Sequence, residues 1–282
     1  MKPESSMQIH VINLKRVPQR ANFMAHEAAR IGLEGVQFFP AVDAQERLRD
    51  DISPLYRPRS WKAYWELSAT EVAVFESHRL LWEQCALENK GAFFICEDDI
   101  LMSKTLPEVL MVLSKQTDKF DFIHVDGVNV AYRLGRPENW SEVTVSPVLQ
   151  PLSSAAAYVI SPQGAQKLTA WAQKGFCDHV DDFLTRPHQN YRAFQLVPAA
   201  AVQGMFAPAD HVPQEIRASE RTSDPKINHK ISKGPIAYRL TKEIRRGIRR
   251  TLRKSLFDLR LTRNGGSVGI IPLAKDLPGY RD

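Results

Sequence analysis

Glu97-Asp98-Asp99 follow directly on Ala92-Phe93-Phe94-Ile95-Cys96, an apolar run of the kind that forms a central strand covered on both faces. Three adjacent carboxylates at such a strand end repel one another, and a divalent cation held against a diphosphate would neutralise them. A solvated acidic turn would account for the same residues. The carboxyl edge of an open α/β sheet is, however, also where such folds bind ligands.

Several other residues could join that chemistry. His78 lies seven positions beyond Glu71 and so on the same helical face, either toward a ligand or as a satisfied core histidine. Lys15, Arg16 and Arg20 could meet phosphate through charge-assisted hydrogen bonds, or form an ordinary solvated turn. Asp178, His179, Asp181 and Asp182 make a second acidic cluster. A base that deprotonates a hydroxyl must be a carboxylate or imidazole within hydrogen-bond reach, which Asp181 or Asp182 could be; Asp178 or Asp181 could equally cap a helix. Asp126 ends another short apolar run, and His211 would be a third metal ligand if its proline-bearing loop folds back over Asp99. The chain has no P-loop, no glycine-rich dinucleotide fingerprint, no G-x-S-x-G elbow and no H-E-x-x-H.

Alternating strands and helices must position these groups. Gln8 to Leu14 reads as a buried first strand, and Arg20 to Ile31 as a helix stopping at Gly32. Val36 to Phe39 is a short second strand, and the proline-bearing stretch from Asp43 to Lys62 reads as a long loop or lid. Ser68 to Leu87 fits one long helix before the Ala92 strand. Phe122 to Val125 and Ala155 to Ile160 are further strands, the second leading into a helix with Ser161 as cap and Pro162 at its first position. The order implies an α/β fold with a mixed, mostly parallel sheet and helices on both faces.

The 282-residue chain is 43% hydrophobic and 25% charged, ordinary for a soluble globular protein. No segment is long and apolar enough to span a membrane and no secretory leader opens the sequence, so a cytoplasmic location is expected. Three cysteines, Cys85, Cys96 and Cys177, give neither a disulfide framework nor a zinc cluster and are expected to be reduced. Charge is uneven: from Lys226 to Arg263 there are 13 basic and 2 acidic residues, a net +11 that leaves −5 for the rest of a chain totalling +6. Leu240, Ile244, Ile248, Leu252 and Leu256 recur every four residues there, so a helix would be amphipathic and strongly basic. The expected division is a domain over 1–225 and a basic amphipathic segment over 226–282.

Taken in order, these segments resemble the family 25 glycosyltransferases of lipopolysaccharide and collagen glycosylation. The likeness is carried by Val11-Ile12-Asn13-Leu14-Lys15-Arg16 with Arg20, Phe38-Phe39-Pro40-Ala41-Val42-Asp43, Glu71 through Ser77-His78 to Trp82-Glu83, Glu97-Asp98-Asp99-Ile100, and Ala157 through Ala165 followed by Val180-Asp181. Thr70 stands where the family often has glycine, and no departure deletes a carboxylate.

The resemblance implies a GT-A-like fold and an inverting transfer of a hexose, galactose first among them, from a UDP-sugar to a lipid-linked or oligosaccharide acceptor of lipopolysaccharide or lipooligosaccharide. By the same likeness, Asp99 and Glu97, with His211 if its loop closes, would hold Mn²⁺ or Mg²⁺. Asn13, Lys15, Arg16, Ala41, Val42, Asp43, His78 and Asp98 would lie about the nucleotide sugar, and Asp181, with Asp182 second, would be the base. A catalytically idle membrane-associated scaffold and a metal-dependent phosphodiester hydrolase remain as other readings. The basic tail suits an anionic membrane face, placing the protein peripherally on the inner side of a bacterial inner membrane. Packing on the catalytic domain is a second role for it. Nucleic acid would reward the same charge, but with only Tyr238 and Phe257 to stack on bases it is not the expected partner.

Overall fold

A computed structural model describes residues 7–45, 49–57, 67–174, 177–186, 188–217, 240–241 and 256–281. The first half follows the expected alternation. Strand β1 (Gln8–Asn13) leads into α1 (Pro18–Ile31), which ends where Gly32 takes a left-handed φ of 71°. Strand β2 (Val36–Pro40), the short helix α2 (Arg49–Ile52) and the long helix α3 (Ala69–Glu88) follow. Ser68 caps α3 in a capping box with Glu71, so Glu71 serves the helix end rather than the face of His78. Strand β3 (Phe93–Glu97) then runs into the acidic triplet, followed by β4 (Ile100–Met102) and α4 (Leu106–Ser114).

The second half is richer in strands. It comprises β5 (Phe122–His124), β6 (Asp126–Gly127), β7 (Ala131–Leu134), β8 (Glu138–Trp140), β9 (Val143–Pro147) and β10 (Ala157–Ile160). Helices α5 (Pro162–Lys174) and α6 (Val180–Thr185), strands β11 (Ala193–Leu196) and β12 (Ala201–Gln203), and the short α7 (Gln214–Arg217) complete it. Ser161 Oγ accepts from the Gly164 N–H at 3.1 Å, which bears out the cap before Pro162.

Eight strands form one sheet in the order β2-β1-β3-β10-β5-β11-β9-β8. The sheet is mixed, as expected, but not mostly parallel: β1/β2, β1/β3 and β5/β11 are parallel, whereas β3/β10, β5/β10, β9/β11 and β8/β9 are antiparallel. A parallel return needs a crossover, usually a helix. Between β5 and β10 the chain runs through strands β6 to β9 instead, and β10 enters the gap between β3 and β5 in the opposite direction.

Side chains alternate cleanly between two cores, one on each face of the sheet. Ile9, Val11, Phe94, Cys96, Ile123 and Val159 pack with α1 and α4; Ile12, Phe93, Ile95, Phe122, Tyr158 and Ile160 pack with α3, α5 and α6. Helices therefore cover both faces, as expected. All three cysteines are buried and unpaired, and no described helix is long and apolar enough to cross a membrane.

Most of the basic segment, 226–239 and 242–255, lies outside the described residues, and with it the expected amphipathic helix and the 225/226 boundary. The end of the chain is described and folds onto the body. Helix α8 (Asp258–Arg263) leads into β13 (Ser267–Ile270), which pairs antiparallel with β7, and Arg133 binds Asp258 at 2.6 Å. Ala274 and Leu277 join the core formed by Leu101, Val202, Val212 and Ile216. The approach is close enough that a Cβ on Gly127 would lie 2.3 Å from the Tyr280 hydroxyl and 2.9 Å from Leu273, so a larger residue there would push the C-terminal segment away.

Candidate active site

A cavity of about 550 Å³ opens at the carboxyl ends of β1 and β3. One wall is a face of α3: Thr70, Ala73, Val74, Ser77 and His78 recur at helical spacing. Against it stand Arg16, Arg20 and the Ala41-Val42-Asp43 turn, with Glu97, Asp98 and Asp99 as the floor. The other wall is built from the second half of the chain: Ser153, Ser154, Asp181, Gln203, Met205 and Phe206.

Each floor carboxylate has a different environment. Asp98 is buried and accepts from Asn13 Nδ2 at 2.6 Å and from Arg20 Nη1 at 2.8 Å. Asp99 is also buried; its Oδ2 accepts from Gln203 Nε2 at 3.1 Å, while its Oδ1 has no hydrogen-bond partner. Burial, then the neighbouring Glu97 and Asp98 charges, push the Asp99 carboxyl up to about 8, against the opposing pull of Arg20 and Gln203. Glu97, a quarter exposed, accepts from the same Gln203 Nε2 at 3.1 Å and stands 3.8 Å from His78 Nε2. An unpartnered buried acceptor beside a second carboxylate, both facing a cavity, fits a divalent cation as ligand. Among the described residues no three His, Cys, Asp or Glu side chains converge into a ready-made metal cage.

The residues expected to face a nucleotide divide by position. Ala41 N–H donates to Asn13 O at 2.9 Å and Val42 N–H to Ser77 Oγ at 2.9 Å, which pins the turn to β1 and α3. Arg16 turns back to Asp43 at 2.6 Å. Asn13 does not line the cavity; its amide is used on Asp98 and on Val17 O, so it positions the floor. Lys15 is exposed on the turn after β1, outside the lining, and Arg20 spends its guanidinium on Asp98 and the Ile216 carbonyl. The expected trio of phosphate-facing cations is thus split.

Asp181, at the start of α6, lines the far wall and accepts from Ser154 N–H at 3.3 Å and from Asp182 N–H at 2.8 Å. Asp182 is exposed and absent from the lining, because one step along the helix rotates it away while Val180 and Phe183 face the core. Asp178 binds Arg186, and His179 lies 3.3 Å from Glu71. His211 does not join the floor: Val212 takes the inward position over Gly204, leaving the His211 ring half exposed beside Asp210.

Beneath the far wall, Asp126 is fully buried. It accepts from Ser154 Oγ at 2.5 Å and Ala157 N–H at 3.0 Å, with His124 Nε2 at 3.1 Å. Ser154 is held at a φ of 106°, unusual for a residue with a side chain, and its N–H is the one directed at Asp181. Gln203, Ser154, Met205 and Phe206 carried no readable signal: a lone glutamine, a serine in a loop and two apolar residues acquire their roles only through the fold.

The family model described as glycosyltransferase family 25 (LPS biosynthesis protein) matches residues 6–184. Over 117 residues the chain is 36% identical to the lacto-N-neotetraose biosynthesis glycosyltransferase LgtB of Neisseria gonorrhoeae, covering 41% of this chain and 40% of that one. It is 27% identical over 211 residues to the lipooligosaccharide biosynthesis protein lic2B of Haemophilus influenzae, covering 71% and 78%. A glycosyltransferase 25 family member of Aedes aegypti is 32% identical over 173 residues, covering 57% of this chain and 27% of the relative. The aligned part thus spans between about a quarter and two fifths of the Aedes and LgtB relatives. The matched stretch includes Asn13 through Asp181 but stops short of Gln203, Met205, Phe206 and His211.

Proposed function

The chain belongs to glycosyltransferase family 25, and from that membership we propose that it transfers a hexose, galactose first among them, from a UDP-sugar to a lipopolysaccharide or lipooligosaccharide saccharide with inversion. The observation that carries the reading is one cavity with two kinds of carboxylate: Asp99, buried with a free oxygen beside Glu97, and Asp181 on the opposite wall. The first pair suits Mn²⁺ or Mg²⁺, which when bound would neutralise charge on the departing diphosphate. Asp181 suits the base.

In this reading the Ala41-Val42-Asp43 turn and the α3 face hold the nucleotide, and Arg20 and Asn13 fix Asp98 so that the floor keeps its shape. The acceptor hydroxyl enters against the far wall and gives its proton to Asp181. Its oxygen bonds to the anomeric carbon, the bond from that carbon to the diphosphate oxygen breaks, and UDP leaves. Met205, partly exposed at the rim, and Phe206 offer apolar surface to the acceptor sugar. The +11 segment would hold the enzyme at an anionic membrane face, assisted by the exposed Leu256, Phe257 and Leu259.

Calorimetric titration with UDP, in manganese and then in EDTA, tests the reading. Cation-dependent binding supports it, and UDP-galactose against UDP-glucose then assigns the sugar. Absence of binding in either condition removes it.

A further inference from the structure

His78 sits on the cavity wall with its Nε2 buried and without a hydrogen-bond partner; Glu97 Oε1 is 3.8 Å away. The other ring nitrogen is fully engaged. His78 Nδ1 lies 2.9 Å from the Tyr158 hydroxyl, and that hydroxyl accepts from Trp82 Nε1 at 2.8 Å. An indole nitrogen only donates, so the Trp82 bond occupies an acceptor site of the phenol oxygen and leaves its hydrogen to be placed. Tyr158 is fully buried, and burial holds its hydroxyl well above the usual phenol range, so the hydrogen stays. His78 Nδ1, at 2.9 Å, is the group placed to accept it, which would leave the imidazole hydrogen on Nε2.

We propose that Trp82 and Tyr158 lock the tautomer of His78, making its Nε2–H a fixed donor to an oxygen of the bound nucleotide sugar. Ring packing holds the three groups in place: His78 stacks on Tyr158 at 5.7 Å and 21°, and Trp82 on Phe183 at 5.6 Å and 7°. The location names the ligand chemistry. Ser77, the preceding residue, holds the Val42 amide on the proposed nucleotide side, and Glu97 lies on the proposed cation side, so Nε2–H is set between them. A phosphate oxygen and a sugar hydroxyl both accept from such a donor. The ligand half of this inference rests on the proposed nucleotide-sugar site; the tautomer does not. Trp82 and Tyr158 are positioning residues, acting through His78.

Long-range proton–nitrogen NMR correlation on histidine-labelled protein tests the lock without a ligand. The expected spectrum has His78 protonated at Nε2 and bare at Nδ1; a hydrogen on Nδ1 overturns the proposal. In Tyr158→Phe the two tautomers should mix and transfer should fall about fivefold to tenfold, the equivalent of one hydrogen bond; an unchanged tautomer with unchanged transfer contradicts the lock. If that variant does not fold, the wild-type spectrum still decides. Titration with UDP and then UDP-galactose assigns the acceptor: movement of the Nε2–H signal with UDP alone indicates a phosphate oxygen, and movement only with UDP-galactose a sugar hydroxyl. Bound UDP-galactose with an unmoved signal overturns the ligand assignment. Failure of both to bind overturns the nucleotide-sugar reading and that assignment with it, while the free-protein spectrum judges the tautomer separately.

Discussion

The two walls of the cavity are built by different means. The near wall and floor come from β1, the β2 turn, α3 and the end of β3, and their polar groups are tied in pairs by side-chain contacts: Asn13 and Arg20 to Asp98, Arg16 to Asp43, Ser77 to the Val42 amide. On the far wall the key carboxylate, Asp181, takes main-chain N–H donors, one of them offered by a residue at a positive φ over a buried histidine–aspartate pair. Side-chain pairs between regular elements fix charges in space before substrate arrives. On the far wall one main-chain donor to each oxygen, from the positive-φ Ser154 and from Asp182 within α6, fixes the direction of a single carboxylate.

The strongest test of that division removes one carboxylate from each side. In the proposed cation-holding role, Asp99→Asn takes away the charge that binds the cation, and since such a cation supplies several kcal/mol of transition-state stabilisation, kcat should fall by roughly three orders of magnitude or more. Folding should survive, because asparagine imitates the protonated carboxyl that burial already favours. Asp181→Asn should lower kcat by roughly two to three orders, the usual worth of a general base, and leave UDP affinity as it was. Loss of UDP affinity in the Asp181 variant would mean that the far wall also binds nucleotide and that the division is wrong.

The difference between the walls is also a difference in what could be read in advance. Periodicity located β1, α1, α3 and β3 nearly to the residue, because each is a buried element whose pattern reports its face. The acidic triplet announced itself by following such a strand. The share of antiparallel pairing in the sheet was hidden, since strand direction depends on the path through β6 to β9 and not on the composition of β10. Gln203 was hidden for another reason: it meets Glu97 and Asp99 only because β12 pairs with β4 in a register that sets Gln203 beside Ile100. His211 misled because an isolated loop histidine gives no sign of which way its neighbour Val212 will turn.

The floor should also betray itself through pH. With its carboxyl raised to about 8 from an ordinary value of 3.8, Asp99 holds a proton in the folded protein that the unfolded chain releases. Its contribution to stability without metal therefore falls as pH rises from about 4 to about 8 and is level above that. A cation must displace the same proton, so apparent Mn²⁺ affinity should climb about tenfold per pH unit up to about 8, near a hundredfold from pH 6 to 8. Calorimetry across that range checks it, with proton release scored in buffers of different ionisation enthalpy. A flat profile would place the cation on ionised groups elsewhere and separate Asp99 from the metal.

The smallest expected effect lies where the two walls meet. Gln203 belongs to the far half of the chain, outside the family match, yet its Nε2 donates at 3.1 Å to both Glu97 and Asp99. It clamps the two carboxyl groups to each other while leaving Asp99 Oδ1 bare. Gln203→Leu keeps approximate volume and removes the donor, so the carboxylates should repel and Asp99 should become harder to ionise. Partners one layer behind a metal ligand are typically worth 10- to 100-fold in affinity, and since Arg20 still faces Asp99 at 4.0 Å the lower figure, about tenfold in Mn²⁺ affinity at pH 7, is expected. The loss should shrink toward pH 9, where ionisation of Asp99 no longer needs the clamp. A loss that stays constant with pH would show that Gln203 holds the shape of the floor rather than its charge, and the near wall would then depend on the far one for geometry alone.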